Sequence, residues 1–308
     1  MSANAWLFPG HGSQYAGMGR GFAFDNNEVA RIFALAESLS EQPLQQLSKS
    51  GSAQIIQQPH VLEPLLTAFA LSYIHLLHDN DHYPSAVAGY SAGIIPALYC
   101  AGIINLNDAL NISVSRGKLL NDLIHECQGQ IITLSGSDKK SLLSFIASSP
   151  YSSNIEIAGW NTENCLSIVG PYEAISSLAI LSTENNIKAA PVATAAAWHS
   201  YSASKKYQQF LESLSAITFS TPQIPFYSSV TGCKESCTKT IALQLAAQVH
   251  LPVLWQATLS NMEANEAIEH YLEVGCGMSL KSMQKSSLQK NTSPGFKNIY
   301  SYIGATYA

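Results

Sequence analysis

The sequence predicts an α/β fold in which a large domain is interrupted by a smaller one. Three observations carry this. Short apolar runs that break at glycine-rich turns recur among longer stretches of helical spacing, the pattern of helices layered on a mostly parallel sheet. One such run leads into Gly89-Tyr90-Ser91-Ala92-Gly93, a sharp turn followed by a segment able to form a helix. Between Gln128 and Val192 the order becomes strand, helix, strand, strand, helix, strand. That βαββαβ order makes a ferredoxin-like unit, compact in its own right. The boundaries that follow are residues 127–197 for the inserted small domain, with 1–126 and 198–308 forming the large one.

Composition sets the class. With 308 residues, 46% hydrophobic and 12% charged, the chain can bury a large core. The start, Met1 to Phe8, has no basic region or long apolar run, and no stretch reaches the roughly 18 uncharged apolar residues of a membrane helix. A cytoplasmic protein without a membrane partner is expected. The 6 cysteines are scattered, which suits buried thiols better than a disulfide framework. Only Cys233 and Cys237 lie close together, and without a second pair or nearby histidines no metal site is expected there. A net charge of -5 argues against nucleic acid as a partner.

Taken in order, the chain opens with Ala5 to Phe8, read as a strand that breaks at Pro9-Gly10-His11-Gly12-Ser13. This loop can bring backbone N–H groups to the C-terminal edge of a sheet, where open α/β folds bind ligands. It lacks the Lys-Ser/Thr ending of a phosphate loop. Helical spacing runs from Asn27 to Ser48 with a break at Pro43, and Val61 to Leu77, nearly all apolar, reads as a buried helix. After the turn at Ser91, Asn107 to Leu120 reads as a helix with Arg116 and Gly117 in its last turns. The inserted unit has strands at 130–134, 154–158, 166–169 and 188–192 and helices at 139–147 and 174–181. Ser202 to Leu214 looks helical, and Phe226 to Val230 is a further strand. Helices follow at 241–249 and 255–263, then a strand at 268–274, a helix from Ser279 and an edge strand at 298–303.

Three residues stand out chemically. Strand, sharp turn and helix around Ser91 form the setting of a nucleophile elbow, the alternative being a plain turn. Gly89 and Gly93 leave room where a side chain would collide with neighbouring backbone. Ser91 then sits at a helix N-terminus, where unpaired N–H groups and the dipole favour an oxyanion. His199 lies at a junction between strand and helix, the kind of loop that carries catalytic groups, although a structural role is also open to it. Arg116 sits among Ile112, Val114, Leu119 and Leu120, so its guanidinium is partly enclosed and needs an anionic partner. That partner is either a ligand's carboxylate or phosphate, or a structural salt bridge.

Six motifs occur in order over nearly the whole chain. They are Phe8 to Gln14 (FPGHGSQ), Gly89 to Gly93 (GYSAG), Arg116 to Leu120 (RGKLL), Trp160-Asn161 with Val169-Gly170, Leu251 to Trp255 (LPVLW), and Glu273 to Gly277 (EVGCG). Together they resemble the malonyl-CoA:acyl-carrier-protein transacylase family. The resemblance implies a hydrolase-like large domain with an inserted ferredoxin-like small domain and an active site in the cleft between them. It implies that Ser91 is the acyl-accepting nucleophile and His199 the general base, oriented by a backbone carbonyl near Leu254. The backbone N–H groups of His11 and Ala92 would form the oxyanion hole, and Arg116 would bind the free carboxylate of the malonyl group. Tyr90, Asn161 and Trp198 complete the expected substrate-binding set, and the bulk of Trp198 predicts malonyl over methylmalonyl.

The departures are specific. His11 stands where the family has glutamine, Tyr90 where it has histidine, Ile94 for glutamate, Gly159 for asparagine and Cys165 for glutamine. The expected reaction is ping-pong transfer from malonyl-CoA to the phosphopantetheine thiol of an acyl carrier protein by a monomer, with no cofactor, because a thioester is already activated. Lys118, Lys205, Lys206, Lys281 and Lys285 are candidates for docking an acidic carrier. Two rivals are an acyl-thioester hydrolase of the same fold and a catalytically silent docking module. Fatty-acid synthesis, polyketide synthesis and malonate decarboxylation are all compatible pathways, and the Gly-Tyr-Ser variant inclines away from the first.

Overall fold

The apolar run at the start of the chain becomes the middle of a sheet. The structure, a computed structural model, describes residues 3–192, 197–285 and 294–303. Its first half comprises β1 (Asn4–Phe8), α1 (Asn27–Ser40), α2 (Leu44–Ser50), α3 (Ala53–Ile56), α4 (Pro59–His78), β2 (Ala86–Gly89), α5 (Ile94–Cys100) and α6 (Leu106–Glu126). There follow β3 (Gln130–Ser135), α7 (Lys139–Ser148), β4 (Glu156–Thr162), β5 (Cys165–Gly170), α8 (Tyr172–Glu184) and β6 (Lys188–Pro191). The remainder is α9 (Tyr207–Ser213), β7 (Phe226–Tyr227), α10 (Thr238–Ala247), α11 (Trp255–Glu266), β8 (His270–Glu273), α12 (Ser279–Lys285), β9 (Gly295–Lys297) and α13 (Tyr300–Ile303).

Five strands form one parallel sheet in the order β7-β2-β1-β8-β9. Ala5 to Phe8 are fully buried because helices cover both faces, as a parallel sheet requires. The other four strands form an antiparallel sheet in the order β4-β5-β3-β6, the expected βαββαβ unit with its own core of Leu134, Leu142, Leu166, Ile168, Ile175 and Leu178. β4 is also tied to the large body. Val253 N donates to Ala158 O at 2.9 Å, and Trp160 N donates to Val253 O at 2.8 Å.

Helix α4 is long and apolar enough to cross a membrane by composition, but 89% of its apolar window is buried inside the protein. It is a core helix, apolar on all sides because it is surrounded. The Asn26 and Asn105 side chains cap α1 and α6 by accepting from backbone N–H groups of their first turns.

Four sequence expectations shift. Helix α6 runs on to Glu126, so Arg116 lies in its middle and not in its last turns. The segment after Ser200 begins as a 3-10 helix, Tyr201–Lys206, before α9. The strand at Phe226 lasts only two residues, because from Ser228 the chain folds back through a turn in which Gly232 N donates to Ser228 O. The edge strand expected at 298–303 is instead Gly295–Lys297. The Asn298 side chain accepts from Tyr300 N at 3.1 Å and turns the chain into α13.

Candidate active site

Ser91 sits where the parallel sheet ends. Strand β2 stops at Gly89, and Ser91 adopts φ 51°, the left-handed conformation of a strained elbow. Both flanking glycines are sterically required. A Cβ on Gly93 would lie 2.0 Å from Phe8 O, and one on Gly89 would lie 2.1 Å from Gly93 C. These contacts press the turn against the end of β1, so the loop carrying His11 lies beside Ser91. Ala92 follows in the short helical turn Ser91–Gly93 that leads into α5.

Ser91 Oγ lies 2.8 Å from His199 Nε2. His199 Nδ1 is 2.9 Å from Leu251 O. A carbonyl only accepts, so Nδ1 carries the proton and Nε2 is free to take one from Ser91. His199 N donates to Val249 O at 2.8 Å, fixing the backbone of a residue that is itself left-handed, φ 56°. Burial and the charge of Arg116 push the His199 imidazole down to about 4, which keeps it neutral.

The orienting carbonyl therefore belongs to Leu251 and not to the neighbourhood of Leu254. Leu254 has already turned into α11, and its carbonyl accepts from Thr258 N and Oγ1 at 3.0 and 2.8 Å.

Arg116 reaches Ser91 from behind. Its Nη2 is 3.4 Å from Ser91 Oγ and 3.5 Å from Gln248 Oε1. Its Nη1 donates to Glu63 Oε1. The enclosed guanidinium thus has a protein carboxylate as partner, a residue the sequence reading passed over. Burial alone would raise the Glu63 carboxyl, but Arg116 and His11 outweigh it and hold it at about 2. His11 Nε2 lies 2.7 Å from the same Glu63 oxygen, close but out of line for a hydrogen bond. The missed signal was a single carboxylate inside an otherwise apolar helix, which is seldom buried without a cation.

A cavity of about 240 Å³ opens in front of Ser91 and His199, lined also by His11, Gly12, Tyr90 and Trp198 and by Ile131, Thr133, Ala158 and Ser167 of the small sheet. Trp198 packs edge-on against His11, ring centroids 5.2 Å apart. Arg116 forms no part of this lining, although its Nη2 is 3.4 Å from Ser91 Oγ. Asn161 does not line it either, and borders a larger neighbouring hollow of about 640 Å³. Its role is to accept from Tyr90 OH at 2.8 Å while donating to Ser167 Oγ at 2.8 Å.

Two departures explain each other here. A Cβ on residue 159 would lie 3.0 Å from Tyr90 OH and 2.8 Å from Asn161 Oδ1, so glycine at 159 makes room for tyrosine at 90. Cys165, a third departure, lies 3.8 Å from Asn161 Nδ2 in the same cluster. Of the lysines expected to dock a partner, Lys205 and Lys206 are both paired with Glu126. Lys118 and Lys285 remain exposed and Lys281 partly so.

A buried serine hydroxyl, a neutral imidazole oriented by a carbonyl and a helix N-terminus are the parts of nucleophilic acyl transfer. Comparison with known proteins agrees. The acyl transferase domain family matches residues 5–293. The malonyl CoA-acyl carrier protein transacylase of Salmonella typhimurium is 28% identical over 287 residues, covering 92% of this chain and 93% of that protein. The Bacillus subtilis protein of the same name is 25% identical over 287 residues, covering 92% and 90%. A malonyl-transacylase solved with the acyl carrier protein of a type II polyketide synthase superposes with a TM-score of 0.88 at 23% identity, covering 99% of each chain. The malonyl-CoA:acyl carrier protein transacylase of Xanthomonas oryzae superposes at 0.87 and 24% identity, covering 97% of this chain and 95% of that one. The fold is shared with these structures, and by the span and position of the family match the chain belongs to the acyl transferase domain family.

Proposed function

We propose that this chain is an S-malonyltransferase, taking the malonyl group of malonyl-CoA onto Ser91 and passing it to the phosphopantetheine thiol of an acyl carrier protein. The observation that carries this is Ser91 Oγ held 2.8 Å from a neutral His199 Nε2 at the wall of a cavity between the two sheets. Relatives matched along nine-tenths of their length bear that activity in their names.

In the first step Ser91 Oγ forms a bond to the thioester carbonyl carbon while its proton passes to His199 Nε2. The carbonyl oxygen becomes an oxyanion beside the N–H groups of His11 and Ala92. Collapse breaks the C–S bond, and the CoA sulfur leaves with the proton from His199. The carrier thiol repeats the steps in reverse. The thioester supplies its own activation, so no metal or redox cofactor enters. In this reading residues 127–197 act as a small domain over a large one formed by 1–126 and 198–308, and the enzyme works as a cytoplasmic monomer. Lys118, Lys281 and Lys285 are left to meet an acidic carrier protein.

The test is labelled malonyl-CoA followed by holo acyl carrier protein. Label should appear on the wild-type chain, be absent from Ser91→Ala, and move to the carrier. Release as free malonate would replace transfer with hydrolysis, and absence of covalent label would end the enzymatic reading.

A further inference from the structure

Arg116 and Glu63 form a buried pair directly behind the nucleophile, their side chains 1% and 0% exposed. The pair is built into the packing of α4 against α6. A Cβ on Gly117 would lie 2.7 Å from Pro59 O and 3.2 Å from Glu63 Cβ, so the missing side chain next to Arg116 is what lets α4 bring Glu63 this close. Glu63 Oε1 takes Nη1 of the guanidinium, with His11 Nε2 at 2.7 Å on the same oxygen. Nη2 reaches Ser91 Oγ at 3.4 Å, and neither Arg116 Nε nor Glu63 Oε2 has a hydrogen-bond partner among the described residues.

Charge counting then bears on the acyl group. Arg116 is the permanent cation beside Ser91, and before any substrate arrives it already faces the Glu63 carboxylate, with His11 Nε2 against the same oxygen. An acyl chain ending in a carboxylate brings a second anion toward a guanidinium that already has one. An uncharged short acyl group adds none. The cavity of about 240 Å³, bounded by Trp198, keeps that group short.

We propose that Glu63 is a specificity-determining residue: its carboxylate occupies Arg116 in place of one borne by the acyl group, so Ser91 accepts uncharged short acyl thioesters of the acetyl class about as readily as malonyl. This rests on acyl transfer at Ser91 and deepens it by widening the donor class.

The experiment measures kcat/KM for loading from malonyl-CoA and from acetyl-CoA separately, with the Ser91 acyl-enzyme read by intact mass. The wild-type ratio should lie within about tenfold of unity, and Glu63→Gln, equal in length and still able to accept from Arg116, should raise the malonyl-to-acetyl ratio at least about tenfold. A wild-type ratio above about tenfold in favour of malonyl, or an unchanged ratio in Glu63→Gln, overturns the proposal. The wild-type measurement stands whether or not the variant folds. Acyl-enzyme from neither donor would instead overturn transfer at Ser91, and the proposal with it.

Discussion

Two basic side chains flank the hydroxyl of Ser91, both buried, and their partners differ in charge. His199 is held by the Leu251 carbonyl, a neutral acceptor that orients the ring and selects its tautomer. Arg116 is held by the Glu63 carboxylate, which pins a permanent charge in place. The difference teaches how one small site can keep a mobile proton beside a fixed charge. A neutral partner leaves the imidazole free to gain and lose a proton, while burial and the charge of Arg116 keep it unprotonated at rest, near 4. The anionic partner holds the guanidinium as a fixed charge beside the hydroxyl.

The contrast is broken most severely at the imidazole. His199→Ala should lower acyl-enzyme formation by about 10²- to 10⁴-fold, measured by rapid quench with malonyl-CoA. Wild-type acylation should hold level down to about pH 5 and fall as Nε2 takes a proton near 4. Stability follows the same ionisation. Above the ordinary histidine value of 6.5 both folded and unfolded states are neutral and the full stability is present. As pH falls from 6.5 toward 4 the unfolded chain binds a proton that the folded site refuses, so stability is lost across that window, readable by urea unfolding. Acylation falling through 6.5 would show that the two partners do not separate the two groups.

On the other side, Arg116→Ala leaves a buried carboxylate with no guanidinium, which should cost about 3–5 kcal/mol in urea unfolding. Arg116→Met combined with Glu63→Leu should restore most of that loss, since a packed apolar pair replaces a buried ion pair at little cost. Failure of the double variant to recover would mean that the helices need the charges for more than each other. The smallest effect belongs to Trp198, which precedes His199 in the chain and packs on His11. Trp198→Ala should raise methylmalonyl loading by about tenfold, and no gain would mean that the wall of the pocket is set elsewhere.

The elbow was legible because its requirements are local. A strand, two glycines and a serine in five residues encode a turn that only a few side chains permit, and φ at Ser91 and the Gly89 and Gly93 contacts agree with it. The βαββαβ order of the insert was legible for the same reason, since each element carries its own periodicity. What escaped was long-range. Nothing adjacent to Glu63 announces Arg116, 53 residues on, because their meeting depends on how two helices cross. Likewise Leu251 and Leu254 are equally apolar in sequence, and only the start of α11 decides whose carbonyl stays free for His199. The exchange of bulk between Tyr90 and Gly159 could be read as two separate departures but not as one compensation, because a strand of the second sheet brings them together.

The short connection from Gln248 to Val253 touches Arg116, His199 and β4. Val249 and Leu251 grip the backbone and ring of His199, and two residues later Val253 extends the ladder of β4. The carbonyl that orients the imidazole and the amide that joins the smaller sheet thus share one six-residue stretch, so a substitution that shifts either one displaces the other.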